Sequence, residues 1–151
     1  MIVIKKVLLP IDFSKASTVL LPYAIDFAEK YGARLFIIFV AEDPFTYSGT
    51  PYIDLLPDQY FEDMVPGAQR KMATFLADNI SKVSLDVEGK VLTGHPAEEI
   101  INYAKQQKID LLIIGSHGFK GFEKFVFGSV AEKVIKMAPC PVLTINTHEL
   151  T

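Results

Sequence analysis

Four short apolar runs, Val7–Ile11, Leu35–Val40, Leu111–Ile114 and Pro141–Ile145, constrain the fold of this chain more than any other feature. They are nearly continuous rather than alternating, as in strands covered on both faces of a parallel sheet. A fifth stretch, Ser84–Thr93, alternates Leu85, Val87 and Val91, the pattern of a half-exposed edge strand.

Helical patterns fill the gaps. From Ser14 to Tyr31 the apolar residues Leu20, Leu21, Ala24, Ile25, Ala28 and Tyr31 fall on one face of a 3.6-residue period. Ser14 is suited to the N-cap and Gly32 to the terminator, with Pro22 bending the helix between them. A second face runs from Phe61 through Met72 and Phe75 to Ile80, and Pro66-Gly67 predicts a regular helix starting only at Pro66. Pro96 opens a third helix, where Glu98 and Glu99 complement the dipole and Ile100, Ile101 and Ala104 are buried. The last helix spans Ser129 to Met137, with Val130, Val134 and Ile135 inward. Strands alternating with helices of this length predict right-handed crossovers and a parallel sheet with helices on both faces.

At 151 residues the chain suits one domain with one core, 1–151. A net charge of −3 argues against a nucleic-acid partner, which usually meets a basic face. The N-terminal MIVIKKVLLPIDF is interrupted by Lys5 and Lys6 and reads as a strand rather than a signal peptide. No run approaches the ~20 apolar residues of a membrane span. Cys140, the single cysteine, rules out an intrachain disulfide and reads as a small apolar residue between Pro139 and Pro141. The expectation is a cytoplasmic protein with no membrane partner. One irregular segment, Glu42–Asp58, is long enough to be functional or mobile.

The chemistry concentrates in Ile113–Ile145. A buried strand ends at Gly115, a loop carrying Gly118 follows, and a helix starts at Gly128-Ser129. That puts a helix N-terminus and its free N–H groups at the carboxyl end of a parallel strand, where open α/β sheets bind ligands and anions are favoured. Gly115 and Gly118 allow positive φ and close approach of a ligand. Neither the P-loop nor the dinucleotide fingerprint has these spacings.

Gly115, two residues, Gly118, nine residues, then Gly128-Ser129 resembles the phosphate-binding signature of the ATP-binding universal stress proteins. The resemblance covers essentially the whole chain. Lys6–Ser14 is similar to that family's first strand and turn, Gly94–Ala104 and Asp110–Gly118 to its third helix and fourth strand, and Pro139–Ile145 to its last strand. The resemblance implies a doubly wound α/β domain with a five-stranded parallel sheet of order 3-2-1-4-5. It implies a nucleotide site in which Pro10 and Asp12 end the first strand, with Asp12 meeting the ribose, and the backbone of Val40 reads adenine. Gly115, His117, Gly118, Gly128, Ser129 and the N–H of Val130 would lie at the phosphates. ATP or AMP, with Mg2+ on the phosphates, is the implied cofactor. A homodimer through the edge strand Pro141–Ile145 is the implied assembly.

Each residue also fits a structural role. Asp12 can serve the start of the first helix, Gly128 can be a turn glycine, and Ser129 with Glu132 forms the S-x-x-E of a capping box. His117 reads as a loop histidine, His95 as a helix-entry residue and His148 as part of a frayed tail; the three lack metal-ligand spacing. Lys120 and Lys124 supply charge to phosphates or are solvated. The preferred reading is a nucleotide-dependent regulatory or stress-response module acting on a protein partner. The alternative is a slow ATPase or nucleotidyl transferase, but hydrolysis usually needs an arginine finger, and Arg34 and Arg70 both lie away from the loop. A phospho-receiver domain would want paired acids after the first strand, where Asp12 stands alone between Ile11 and Phe13.

Overall fold

The computed structural model describes residues 1–42, 58–116 and 128–147. Nine elements follow in order: β1 (Lys6–Ile11), α1 (Lys15–Tyr31), β2 (Arg34–Glu42), α2 (Asp58–Ile80), β3 (Val87–Gly94), α3 (Pro96–Gln107), β4 (Leu111–Gly115), α4 (Ser129–Met137) and β5 (Val142–Ile145). The strands form one sheet in the order β3-β2-β1-β4-β5, and every pairing is parallel. Each apolar run is continuous because alternate residues feed different cores. Val7, Leu9, Leu35 and Ile37 belong to one core with residues of α1 and α2, while Leu8, Phe36, Ile38 and Leu112 belong to the other with α3 and α4.

Two expectations about the helices are corrected. Pro66 lies inside α2 rather than at its start. Ala68, Met72 and Phe75 are buried and Met64 and Val65 half-buried, so one apolar stripe crosses the proline. Burial of that stripe outweighs the one ladder bond that Pro66 cannot donate. In α4, Ala131 and Val134 are buried and Val130 packs against the core, but Ile135 is exposed. It stands one residue, about 100° of helix, past Val134.

Two contacts that no local pattern signals fix the sheet. Asp110 Oδ2 accepts the N–H groups of Lys5 (2.9 Å) and Lys6 (3.0 Å), clamping the start of β1 to the start of β4. Gly89, on β3, lets α2 come close: a Cβ there would stand 2.6 Å from Leu76 Cδ1 and 3.1 Å from Met72 Sδ. Gly89→Val is expected to destabilise the protein by about 1–3 kcal/mol through this overpacking, read as a lower urea midpoint. An unchanged midpoint would mean that α2 rides freely over β3. Cys140 is half-buried against the second core, where burial and the nearby Asp110 carboxylate push its thiol pKa up. It is therefore a packing residue rather than an activated nucleophile.

Candidate functional site

The order of the sheet reverses between β1 and β4, and the candidate site lies at their carboxyl ends. Rungs join the two strands at Val7–Leu111 and Leu8–Leu112 only, whereas β4 stays paired to β5 as far as Gly115–Ile145. Pro10 follows two residues after the last β1–β4 rung and has no N–H with which to extend the ladder. By the switch-point rule a ligand crevice lies outside these two strand ends, with Asp12 following β1 on one bank and Gly115 ending β4 on the other.

A compact turn holds Asp12. Its Oδ1 accepts the Ser14 N–H (2.9 Å) and the Ser17 Oγ–H (3.0 Å), and Ser17 Oγ in turn accepts the Asp12 N–H (3.1 Å). The first of these bonds is an Asx turn. Ser17 is almost fully buried, so this hydroxyl is structural. Ser14 does occupy the N-cap of α1, but its hydroxyl makes no capping bond, and the Ser17 N–H donates to the Ser14 carbonyl instead (3.0 Å). Between them, Phe13 has φ +60°, a left-handed conformation that costs a residue with a Cβ about 1–2 kcal/mol. Its ring lies 4.7 Å from that of Phe39 and 6.1 Å from that of Phe75.

Val40 stands one residue past the last β1–β2 rung, Ile11–Phe39, and still pairs with Leu92 of β3. Its side chain is buried in the second core, so only its backbone can turn toward the crevice.

On the opposite bank, Ser116 N–H donates to Ile145 C=O (3.0 Å), and Gly128 N–H donates to Ser116 C=O (2.9 Å). The second bond brings the start of α4 against the end of β4. Gly128 is the N-cap, and its C=O accepts the first helical bond, from Glu132 N–H at 2.9 Å. Ser129 and Val130 are then the first helical residues, whose N–H groups have no acceptor within the helix.

Two expectations change here. Ser129 is not the cap: Gly128 holds that place, which leaves Glu132 one residue out of register for a capping box, and Glu132 accepts Lys136 Nζ at 2.8 Å. That ammonium holds the Glu132 carboxyl below its usual range. Gly115 does not use positive φ: it is an ordinary β4 residue, and the glycines with positive φ among the described residues are Gly32 and Gly94. Gly128 likewise has an ordinary φ of −57°.

Pro10, Asp12, Val40, Gly115, Gly128, Ser129 and Val130 thus gather at one rim of the sheet. His117, Gly118, Lys120, Lys124 and His148 lie outside the described residues, as does most of the stretch 42–58. His95 enters α3 as expected, at its N-cap. Phe13 and Ser17 were missed, although the spacing D-x-S-x-x-S is a legible Asx-turn signal. An open hollow of about 760 Å³ lies at the other rim, lined by Ile4, Tyr31, Arg34 and Leu85 among others, away from the carboxyl ends of the strands. Among the described residues no cluster of three metal-ligating side chains exists, and no helix is long and apolar enough to cross a membrane.

Comparison with known proteins agrees with this architecture. A universal stress protein of Methanocaldococcus jannaschii is 30% identical over 146 residues, covering 94% of this chain and 82% of that protein. The solved universal stress protein of Lactobacillus plantarum superposes with a TM-score of 0.80 at 25% identity, covering 95% of this chain and 99% of the other. Two further universal stress proteins, one solved in complex with cAMP and one from Archaeoglobus fulgidus with dAMP, share the fold at 20% and 21% identity, each with a TM-score of 0.64. The cAMP complex matches 96% of this chain and 98% of its own, and the dAMP complex 97% and 100%. The model of the universal stress protein family matches residues 4–146, and the chain belongs to that family.

Proposed function

We propose that the chain is a regulatory module that binds an adenine nucleotide, ATP or AMP, in the crevice between β1 and β4. The observation that carries this reading is the Gly128–Ser116 bond, which brings the start of α4, where the N–H groups of Ser129 and Val130 lack helical acceptors, to the end of β4 beside β1. A helix N-terminus favours phosphate and a carboxylate accepts ribose hydroxyls, so the two banks suit the two ends of one nucleotide. In this reading Asp12 binds ribose, Pro10 lines the crevice, and the Val40 backbone pairs with adenine. Gly115, His117, Gly118, Gly128, Ser129 and Val130 surround the phosphates, with Mg2+ carried on the phosphates themselves. The nucleotide complexes of the two fold neighbours support an adenine ligand in this architecture. The module is a single domain over 1–151, works in the cytoplasm as a homodimer through its last strand, and passes nucleotide occupancy to a protein partner.

Native mass spectrometry of protein purified without added ligand tests the reading. The expected result is a mass increment of one adenine nucleotide per chain. Protein that carries none, and that gives no heat with ATP-Mg2+, AMP or cAMP in calorimetry, would overturn it.

A further inference from the structure

We propose that Phe13 is a positioning residue for the nucleotide: its ring, clasped between strand β2 and helix α2, holds the left-handed turn that aims Asp12 into the crevice. This rests on the nucleotide reading and adds a residue to it. Phenylalanine is a poor choice for φ +60°, where glycine or asparagine is the usual occupant. Strain of this kind persists only where the surroundings over-determine it, and it gathers at binding sites. Here the surroundings are Phe39, with ring centroids 4.7 Å apart, and Phe75, edge-on at 6.1 Å.

The clasp spans the site. Phe39 precedes Val40 on β2, and Phe13 follows Asp12 after β1, so one ring contact ties together the two residues proposed to hold adenine and ribose. Asp12 Oδ1 is bound to the Ser14 N–H and the Ser17 hydroxyl, which fixes the carboxylate relative to the backbone of the turn. If Phe13 relaxed to negative φ, the Ser14 N–H would swing away and the carboxylate would lose its aim. The phosphate bank at Gly128–Val130 would be untouched, because it is built on β4 and α4.

The test compares binding of ATP and of 2′,3′-dideoxy-ATP, both with Mg2+, by calorimetry. Unaltered protein should prefer ATP by about tenfold or more, the worth of a charge-assisted hydrogen bond to the ribose. Phe13→Leu keeps most of the buried volume but loses the ring, and should bind the two nucleotides within about twofold of each other. Its affinity for the dideoxy nucleotide should equal that of unaltered protein. Phe13→Tyr, which keeps the ring, should retain the preference for ATP. A Phe13→Leu protein that still prefers ATP as strongly, or that loses both nucleotides equally, overturns the proposal. If Phe13→Leu melts far below the unaltered protein, Phe39→Leu removes the same ring contact from the β2 side and is read by the same two criteria. Unaltered protein that binds neither nucleotide overturns the underlying reading instead.

Discussion

Gly128→Val is expected to weaken ATP-Mg2+ binding by a hundredfold or more in calorimetric titration while the melting temperature shifts by less than about 4 °C. The two halves of this expectation have separate physical grounds. Valine adopts φ −57°, ψ 152° freely, and among the described residues a Cβ at 128 would meet only the Ser116 carbonyl oxygen, at an ordinary 3.8 Å. Nothing among the described residues therefore demands glycine at this position. In the nucleotide reading the demand comes from the ligand, whose phosphate must approach the backbone where a side chain would stand. Losing two or three charge-assisted hydrogen bonds there costs about 3–6 kcal/mol. Equal affinity in the two proteins would reduce Gly128 to a connector and remove the phosphate bank from the proposal.

Thr144→Pro is expected to convert a dimer into a monomer of 16.8 kDa, read by light scattering at micromolar concentration. The two edges of the sheet differ in kind. On β3, Glu88 pairs with Arg34 and Lys90 lies over the Tyr103 ring, so charges guard that edge. On β5 there is no charge: Val142, Leu143 and Ile145 are half-buried and Thr144 is exposed, with the exposed Ile135 and Met137 on the preceding helix. Leu112 N–H donates to Pro141 C=O and Ser116 N–H to Ile145 C=O, so the odd-numbered residues of this stretch face β4. By alternation the backbone groups of Val142 and Thr144 point outward, ready for a second strand. Proline at 144 deletes one outward N–H without touching the core, whereas a change at Leu143 would also disturb its packing against the first core. Unaltered protein that is already monomeric would refute pairing through this edge.

The sequence carried the architecture because its signals were long and redundant. Each buried strand is a continuous apolar run, and Gly32 and Pro96 punctuate their helices with conformations few other residues supply. The misreadings fell where one short-range preference competed with another. S-x-x-E at Ser129 is a sound capping signal, but Lys136 stands four residues beyond Glu132 and takes the carboxylate, while Gly128 is already held at the cap by Ser116. At Ser14 the competitor was the residue's own carbonyl, which takes the Ser17 N–H. Other features depend on partners distant in sequence, as with Asp110 at the start of β1 and Gly89 beneath α2. Phe13 was the least legible of all: no local preference places phenylalanine at positive φ, and the two rings that hold it come from β2 and α2.

The central place of β1 has a consequence for how the molecule is made. One neighbour, β2, follows within the same αβ unit, but the other, β4, arrives about a hundred residues later. At a synthesis rate of about 5–20 residues per second, one side of β1 waits roughly 5–20 s for its partner. During that interval Val7, Leu8 and Leu9, which have no exposure in the finished protein, border an open strand edge. The Asp110 clamp on Lys5 and Lys6 forms only as β4 arrives, so it marks the moment when this edge is sealed. Ribosome-bound chains ending before residue 110 should therefore be the aggregation-prone species of this protein, and chains long enough to display β4 and β5 should be protected.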